Sequence, residues 1–170
     1  QVFVSDSIKE VVPRYLVPLR GVIDSPDIPL NVSRSALQAD RKVKSIGNFI
    51  SKKIADKLKK IIDEDPSHYC EIWENISPFI KIGCMEDEKF AAMANDIILY
   101  KTTYNKDINE VGIIQNGETR YTTIKAYMSR LKTEEEKKIL YCTDDVAQAN
   151  ALSLWKSMGS EILIADTVID

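Results

Sequence analysis

The stretch with the clearest potential for chemistry is DSPDIPLNVSRSALQAD, residues 24–40. Its one positive charge, Arg34, follows Ser33, a residue type whose hydroxyl caps the first turn of a helix. If a helix begins at Arg34, Gln38 lies one turn further along the same face, and Asn31 lies in the loop just before it. A guanidinium, a carboxamide and a helix N-terminus would then converge, and each can donate hydrogen bonds to an anion. The spacing therefore predicts an anion site suited to phosphate.

The same arginine has a simpler explanation. Arg34 stands where the helix dipole disfavours a cation, so it needs a negative partner. Asp24 and Asp27 lie close enough in sequence to supply one as an ordinary ion pair. Spacing alone favours this ion pair over a phosphate site, and both interpretations stay open at this stage.

Composition limits the function classes. The chain has 170 residues, is 44% hydrophobic and carries a net charge of -3, which gives no overall electrostatic case for nucleic acid or a membrane as partner. Its three cysteines are an odd number at wide spacing, and no secretory signal precedes them. We therefore expect a reducing, cytoplasmic location. The chain begins with Gln1 rather than methionine, and we expect a fragment of a longer protein.

Apolar periodicity predicts the elements of the first part of the chain. It indicates helices at about 7–17, 34–63 and 86–98, and one starting at Pro66 with Asp65 as its cap. Residues 19–24 resemble a strand, and Pro78 and Gly83 predict a bend between the later helices. The three later helices have short connections, which is typical of a small bundle.

A different pattern begins after residue 99. Asn116-Gly117 predicts a hairpin, in which both turn residues need positive φ, and Thr123 can cap a following helix. Buried strands are expected at 139–143 and 161–166, separated by a helix capped by Asp144 or Asp145 and closed by Gly159. That helix is expected to bury Val146, Ala149, Leu152 and Trp155. The predicted fold class is α/β: the end of a larger α/β/α layer (1–33), a long helix and three-helix coil (34–98), and a small α/β/α sandwich (99–170).

Other candidate sites have structural explanations that we favour. The lysines of the 34–63 helix could follow a phosphate backbone, but their scatter is typical of a solvated helix face. His68, Cys70 and Cys84 lack the spacing of a zinc site, so we expect no metal. Asp144, Asp145 and Asp166 follow predicted parallel strands, where α/β sites form, although such residues are more often helix caps. The sequence contains no glycine-rich phosphate loop.

The stretch GVIDSPDIPLNVSRSALQ, residues 21–38, closely resembles the middle segment of heat-shock protein 90 (Hsp90) chaperones, and is most similar to their bacterial form. Supporting stretches are VFVSD at 2–6, VVPRYLVPLRGVIDS at 11–25, FIKIGCMED at 79–87 and ILYCTDD at 139–145. The resemblance runs through the whole chain in order. Where the family usually carries Leu-Leu-Arg near the end of the third helix, this chain has Ile98-Leu99-Tyr100.

The resemblance implies a middle-domain segment of a homodimeric, ATP-dependent chaperone that assists folding of unfolded clients during stress. It implies that Arg34 reaches the ATP γ-phosphate when the N-terminal domain docks, with Gln38 one turn on and Asn31 in the same loop. ATP and Mg²⁺ would be bound mainly by that N-terminal domain, so this segment alone would be a monomer that neither binds nor hydrolyses ATP. The alternative is a non-catalytic scaffold that binds clients or partners. An independent small-molecule enzyme using Asp144 and Asp166 is a third hypothesis.

Overall fold

The structure is a computed structural model and describes residues 12–23, 41–106, 109–131 and 138–170. Within the first long helix it describes the side chains from Lys44 onward. The helices of these ranges are a 3-10 helix (Arg14–Leu16), α1 (Arg41–Glu64), α2 (Pro66–Glu86), α3 (Glu88–Ala94), α4 (Ile124–Arg130) and α5 (Ala149–Ser157). The strands are β1 (Tyr100–Thr102), β2 (Ile113–Asn116), β3 (Thr119–Thr122), β4 (Tyr141–Cys142) and β5 (Leu163–Ile164). The predicted α/β class is confirmed.

Helices α1, α2 and α3 pack as the predicted bundle. Asp65 caps α2 by accepting a hydrogen bond from the His68 N–H at 3.0 Å, and Pro66 occupies the first turn, as its sequence predicts. Asp87 caps α3 in the same way, accepting from the N–H groups of Lys89 and Phe90. The helices meet around a core whose buried members include Leu58, Tyr69, Trp73, Ile80, Phe90 and Ala94.

The bend predicted between Pro78 and Gly83 is wrong. Helix α2 continues through Pro78 to Glu86, because its burial against α1 and α3 outweighs one missing backbone hydrogen bond. Gly83 serves close packing instead. A Cβ added there would lie 2.6 Å from Cδ2 of Tyr15 and 2.9 Å from Cε1 of Phe90, so only glycine lets these two rings approach the helix.

We expect Gly83→Ala to destabilise the fold by about 1–2 kcal/mol, because overpacking outweighs the better helix propensity of alanine. Urea unfolding followed by circular dichroism would measure the change. Gly21→Ala is the matched control, since no atom lies within 4 Å of a Cβ added at Gly21. Equal unfolding midpoints for both variants would contradict the packing role.

Two buried aromatic side chains fix the connection from the bundle to the sheet. The Tyr69 hydroxyl donates to the carbonyl of Ile97 at 2.8 Å, and the Trp73 indole N–H donates to the carbonyl of Leu99 at 2.9 Å. Both carbonyls follow the end of α3, where helix hydrogen bonds no longer satisfy them. The connection leads directly into β1, a strand that the periodicity of the sequence did not reveal.

The sheet is mixed, with strand order β2-β3-β1-β5-β4. Strand β1 pairs antiparallel with both β3 and β5, whereas β4 and β5 are parallel and joined through α5, as the predicted βαβ unit requires. The hairpin β2–β3 is also confirmed. The two turn residues are Gly117 and Glu118, and only Gly117 has a positive φ (59°), which is the type II′ pattern. The sequence had predicted Asn116 and Gly117 as the turn residues, both with positive φ, and that detail is wrong.

The Thr123 cap of α4 and the Gly159 end of α5 are confirmed, whereas the predicted strand at 19–24 and the predicted burial of α5 are wrong. Thr123 caps α4 by accepting from the Ala126 N–H at 3.1 Å, and Gly159, with φ 78°, closes α5. The predicted strand at 19–24 is not formed over 19–23, because no described strand lies beside those residues to pair with them. Helix α5 has no buried residue: Trp155 is 42% exposed and Val146, just before the helix, is 83% exposed.

Candidate functional site

The predicted site residues Asn31, Arg34 and Gln38 lie outside the described residues, as do Ser33, Asp24 and Asp27. The structure therefore brings none of them together with another group. It does describe the chain on both sides: residues 12–23 lead up to this segment, and α1 is described from Arg41 onward. We call residues 24–40 the arginine segment, and the next paragraphs describe how its two flanks are held.

The preceding flank is held by Tyr15 and Leu16, which are both buried against the bundle. The Tyr15 hydroxyl lies 3.0 Å from Oγ of Ser51 in α1 and 3.4 Å from Oδ2 of Asp87, which separates α2 from α3. The Tyr15 ring packs on Phe90 of α3 with their centroids 4.7 Å apart. One side chain thus contacts all three bundle helices or their caps.

Burial raises the pKa of Tyr15, the hydrogen bond with Ser51 partly offsets this rise, and the nearby Asp87 carboxylate adds to it. The phenol is therefore neutral at physiological pH and keeps its proton for hydrogen bonding. It acts here as a polar contact rather than an acid or base.

The following flank is the first described part of α1, whose polar face is solvated. Lys44, Lys52, Lys57, Lys59 and Lys60 are all exposed, which agrees with the interpretation of a solvated face. Their described partners are carboxylates of the same bundle: Lys59 lies 3.3 Å from Asp96, and Lys60 lies 3.5 Å from Glu64 one turn on. Such exposed pairs contribute little to stability.

A second candidate site lies where β4 and β5 end. Oδ1 of Asp144 accepts from the N–H groups of Val146 and Ala147, so this carboxylate closes a turn that precedes α5. The helix itself begins after Gln148 without a side-chain cap, so the prediction that Asp144 or Asp145 caps it is wrong. Asp166 lines a cavity of about 600 Å³ together with Thr143, Tyr141 and Leu163. The cavity is lined by two carboxylates, Asp166 and Asp170, beside apolar walls. Asp144 is engaged with the backbone.

Asp170, which lines this cavity, also contacts helix α2. Lys81 of α2 pairs with Asp170, and its ammonium group also lies 5.2 Å from the ring centroid of Tyr100. Burial alone would raise the pKa of Asp170, but the hydrogen bonds from Lys81 and Thr167 outweigh it and lower the pKa below its usual range. The Asp170 carboxylate is consequently ionised across the physiological range, and its contact with Lys81 joins the segment after β5 to the bundle.

A buried ion pair that sequence reasoning missed joins the end of α4 to the segment just before β5. Nε and Nη2 of Arg130 donate to the two carboxylate oxygens of Glu161 at 2.9 and 2.7 Å, and the side chains are only 9% and 10% exposed. Nη2 also donates to Thr122 at 2.8 Å, and Glu161 accepts from Thr102 at 2.7 Å. No local pattern could have indicated this pair, because its members are 31 residues apart.

Among the described residues, no group of three or more His, Cys, Asp or Glu side chains could hold a metal ion. His68 instead faces Glu71 across 3.4 Å on the exposed surface of α2, and Cys70 is buried in the bundle. Within the same ranges, no helix combines the length and apolarity needed to cross a membrane.

Burial raises the pKa of the Cys70 thiol from 9.0 to about 11, and the Glu74 carboxylate adds to the shift. Because the thiolate is the reactive form, we expect Cys70 at pH 8 to react about 100-fold more slowly with a disulfide reagent in the folded than in the unfolded chain. Peptide mass spectrometry of timed samples would measure the rate at each cysteine. Equal rates before and after unfolding would contradict the burial of this thiol.

Comparison with known proteins decides the family. The sequence model of the family described as Hsp90 protein matches residues 1–170, the whole chain. The chain belongs to the Hsp90 family. It is 35% identical to a chaperone protein HtpG of Bacteroides fragilis, 33% to one of Porphyromonas gingivalis and 33% to one of Treponema denticola, in each case over 100% of this chain. It spans only about a quarter of those proteins' length, 24% for the first two and 26% for the third.

This Hsp90-family chain is therefore part of a chaperone, as the resemblance implied. The match includes the arginine segment, which the described residues do not cover. The roles of Arg34, Gln38 and Asn31 stay predictions.

Proposed function

We propose that this chain is the middle-domain segment of an ATP-dependent Hsp90 chaperone and that it supplies Arg34 to the ATP γ-phosphate when the N-terminal domain docks. The observation that carries the proposal is the family match over all 170 residues, which includes the arginine segment. Gln38 and Asn31 would support the arginine from the same helix turn and loop. In this scheme the division into 1–33, 34–98 and 99–170 separates the arginine-bearing loop, the helical coil and the small α/β part.

The mechanism is electrostatic. Negative charge on the transferring phosphoryl oxygens is stabilised in the transition state by a guanidinium that arrives through domain closure. ATP and Mg²⁺ would be held mainly by the N-terminal domain of the full-length protein. The proposed parent is a cytoplasmic homodimer that binds unfolded clients, whereas the segment alone is a monomer.

A second candidate function is a scaffold that binds clients or partners without chemistry. The observation that favours it is the exposed apolar surface at the end of α5, formed by Leu154 and Trp155 of the helix and by Met158 just after it. A scaffold would leave Arg34 without a role in turnover.

A trans assay separates the two functions. The 170-residue chain is added to the purified N-terminal domain, and ATP hydrolysis is measured. We expect the wild-type chain to raise turnover and the Arg34→Ala chain to fail, because only the first brings a cation to the γ-phosphate. Equal turnover with both chains would reject the catalytic role and leave the scaffold.

A further inference from the structure

A cavity of about 560 Å³ lies beside the end of α5, and the role proposed for Arg34 does not use it. One wall of this cavity is apolar and is formed by Leu131, Leu140, Trp155 and Met158. Trp155 and Met158 are exposed, so both present apolar surface to an incoming group. We call this cavity and its lining residues the α5 pocket.

The floor of the α5 pocket is held in place by polar groups that already have partners. Arg130 and Glu161, which form the buried ion pair described above, both line the pocket. The Tyr127 hydroxyl donates to the carbonyl of Glu161 at 3.2 Å and accepts from the Leu140 N–H at 3.0 Å. The guanidinium of Arg130 also lies 5.3 Å from the ring centroid of Tyr104, another lining residue. The pocket is therefore preformed, and the two charges of its floor cancel.

Two lysines give the α5 pocket a net positive charge. Lys106 and Lys138 line it and are exposed, and neither forms an ion pair with a carboxylate of the described residues. Nζ of Lys106 lies 3.9 Å from a Cβ added at Gly159, which places this ammonium group at the end of α5. The chain as a whole has a net charge of -3, so the pocket is a local surface of opposite sign.

The size and the surroundings of the α5 pocket indicate the class of ligand. Pockets of roughly 300–1,000 Å³ hold groups as large as an aromatic side chain with its neighbours. Met158 and Gly159 directly follow α5, whose last carbonyls carry partial negative charge, so a compact, multiply charged anion such as phosphate is disfavoured there. Single carboxylates spaced along a peptide can pair with the lysines while an apolar side chain contacts Trp155.

We propose that the α5 pocket binds an acidic peptide segment of a partner protein. An apolar side chain of the peptide packs against Trp155 and Met158, and its carboxylates pair with Lys106 and Lys138. This inference goes beyond the proposed catalytic function and does not depend on the role of Arg34. It gives the scaffold function a partner of defined chemistry.

Fluorescence anisotropy of a labelled peptide tests the proposal in the full-length chaperone, with no nucleotide present. The probe has the sequence Glu-Asp-Phe-Leu-Asp-Glu. Two comparison peptides replace either its acidic residues by lysine or its Phe-Leu pair by Gly-Gly. The Kd of each peptide is measured at low and at physiological salt.

The variants separate charge from apolar contact. Lys106→Glu and Lys138→Glu each reverse one charge of the pocket, and the matched control is Lys156→Glu, an exposed lysine of α5 that does not line it. Trp155→Ala removes the apolar wall. Its control is Leu154→Ala, which truncates the neighbouring exposed side chain outside the pocket.

We expect Lys106→Glu and Lys138→Glu each to raise the Kd of the acidic peptide about tenfold and to reduce its dependence on salt, because a carboxylate then faces the carboxylates of the peptide. Trp155→Ala should raise the Kd about tenfold and leave its salt dependence unchanged. Both controls should stay within about twofold of wild type. The unfolding midpoint of each variant shows whether the fold is retained, and the two lysine variants change only exposed side chains.

Four results would overturn the proposal. The acidic peptide does not bind the wild-type chaperone, or it binds all pocket variants as tightly as wild type and therefore contacts another surface. The lysine peptide binds as tightly as the acidic one, so charge is not recognised. The Gly-Gly peptide binds as tightly as the probe, so the apolar wall has no role. Because no nucleotide is present, none of these results bears on the proposed role of Arg34.

Discussion

Replacing Arg34 by alanine in the full-length chaperone is expected to lower ATP turnover by about 100-fold, the scale observed when one donor to a transition-state oxyanion is removed. Nucleotide affinity should stay nearly unchanged, because the adenine, ribose and most phosphate contacts would lie in the N-terminal domain. Steady-state hydrolysis and equilibrium titration with a labelled nucleotide give the two quantities separately.

Arg14→Ala is the matched control for this prediction. Arg14 is an exposed arginine in the 3-10 helix next to Tyr15, and its removal changes the net charge by the same amount. Turnover of this variant should be within about twofold of wild type, because the charge of an exposed surface residue is largely screened by salt. A parallel loss of turnover and affinity in Arg34→Ala would indicate a ground-state role and would contradict the mechanism.

The second large effect concerns stability. Arg130→Met should destabilise the chain by about 3–5 kcal/mol, because it leaves the Glu161 carboxylate buried without its partner. Chemical unfolding at pH 7 measures the change in the free energy of unfolding. The exposed pair Lys60–Glu64 supplies the control, and Lys60→Met should change stability by less than about 0.5 kcal/mol.

A double variant separates charge burial from packing. Arg130→Met/Glu161→Leu removes both charges, so it should be more stable than Arg130→Met alone. If the double variant is instead less stable than the single one by a further loss of similar size, the pair acts through its packing and its hydrogen bonds to Thr122 and Thr102. That result would contradict the role given to the buried charge.

Features set by a few neighbouring residues could be predicted from the sequence. The Asp65 and Thr123 caps and the Gly159 helix end each depend on contacts within four residues, and all three are present. The predictions that failed depend on distant partners. Pro78 did not end its helix because packing holds α2 together, and residues 19–23 did not form a strand because a strand needs a neighbour.

The same distinction between local contacts and distant partners applies to the candidate site. The spacing of Arg34 and Gln38 showed which groups could share a helix face, but it could not choose between a phosphate and a nearby carboxylate as the partner. Family membership then supplied an argument that spacing could not. Tyr15, by contrast, carried no signal in the sequence, since its hydroxyl partner in α1 is 36 residues away.

The central position of β1 has a consequence for how the chain folds during synthesis. Strand β1 leaves the ribosome soon after the bundle, and the β2–β3 hairpin, about 20 residues later, offers it one edge. Its other neighbour, β5, includes Leu163, and β4 can join the sheet only through β5. One edge of β1 is therefore unpaired while some 60 residues are being added, a period of several seconds at about 5–20 residues per second. During this interval the unpaired edge of β1 is exposed to wrong pairing, whereas the residues of the three bundle helices have already been synthesised.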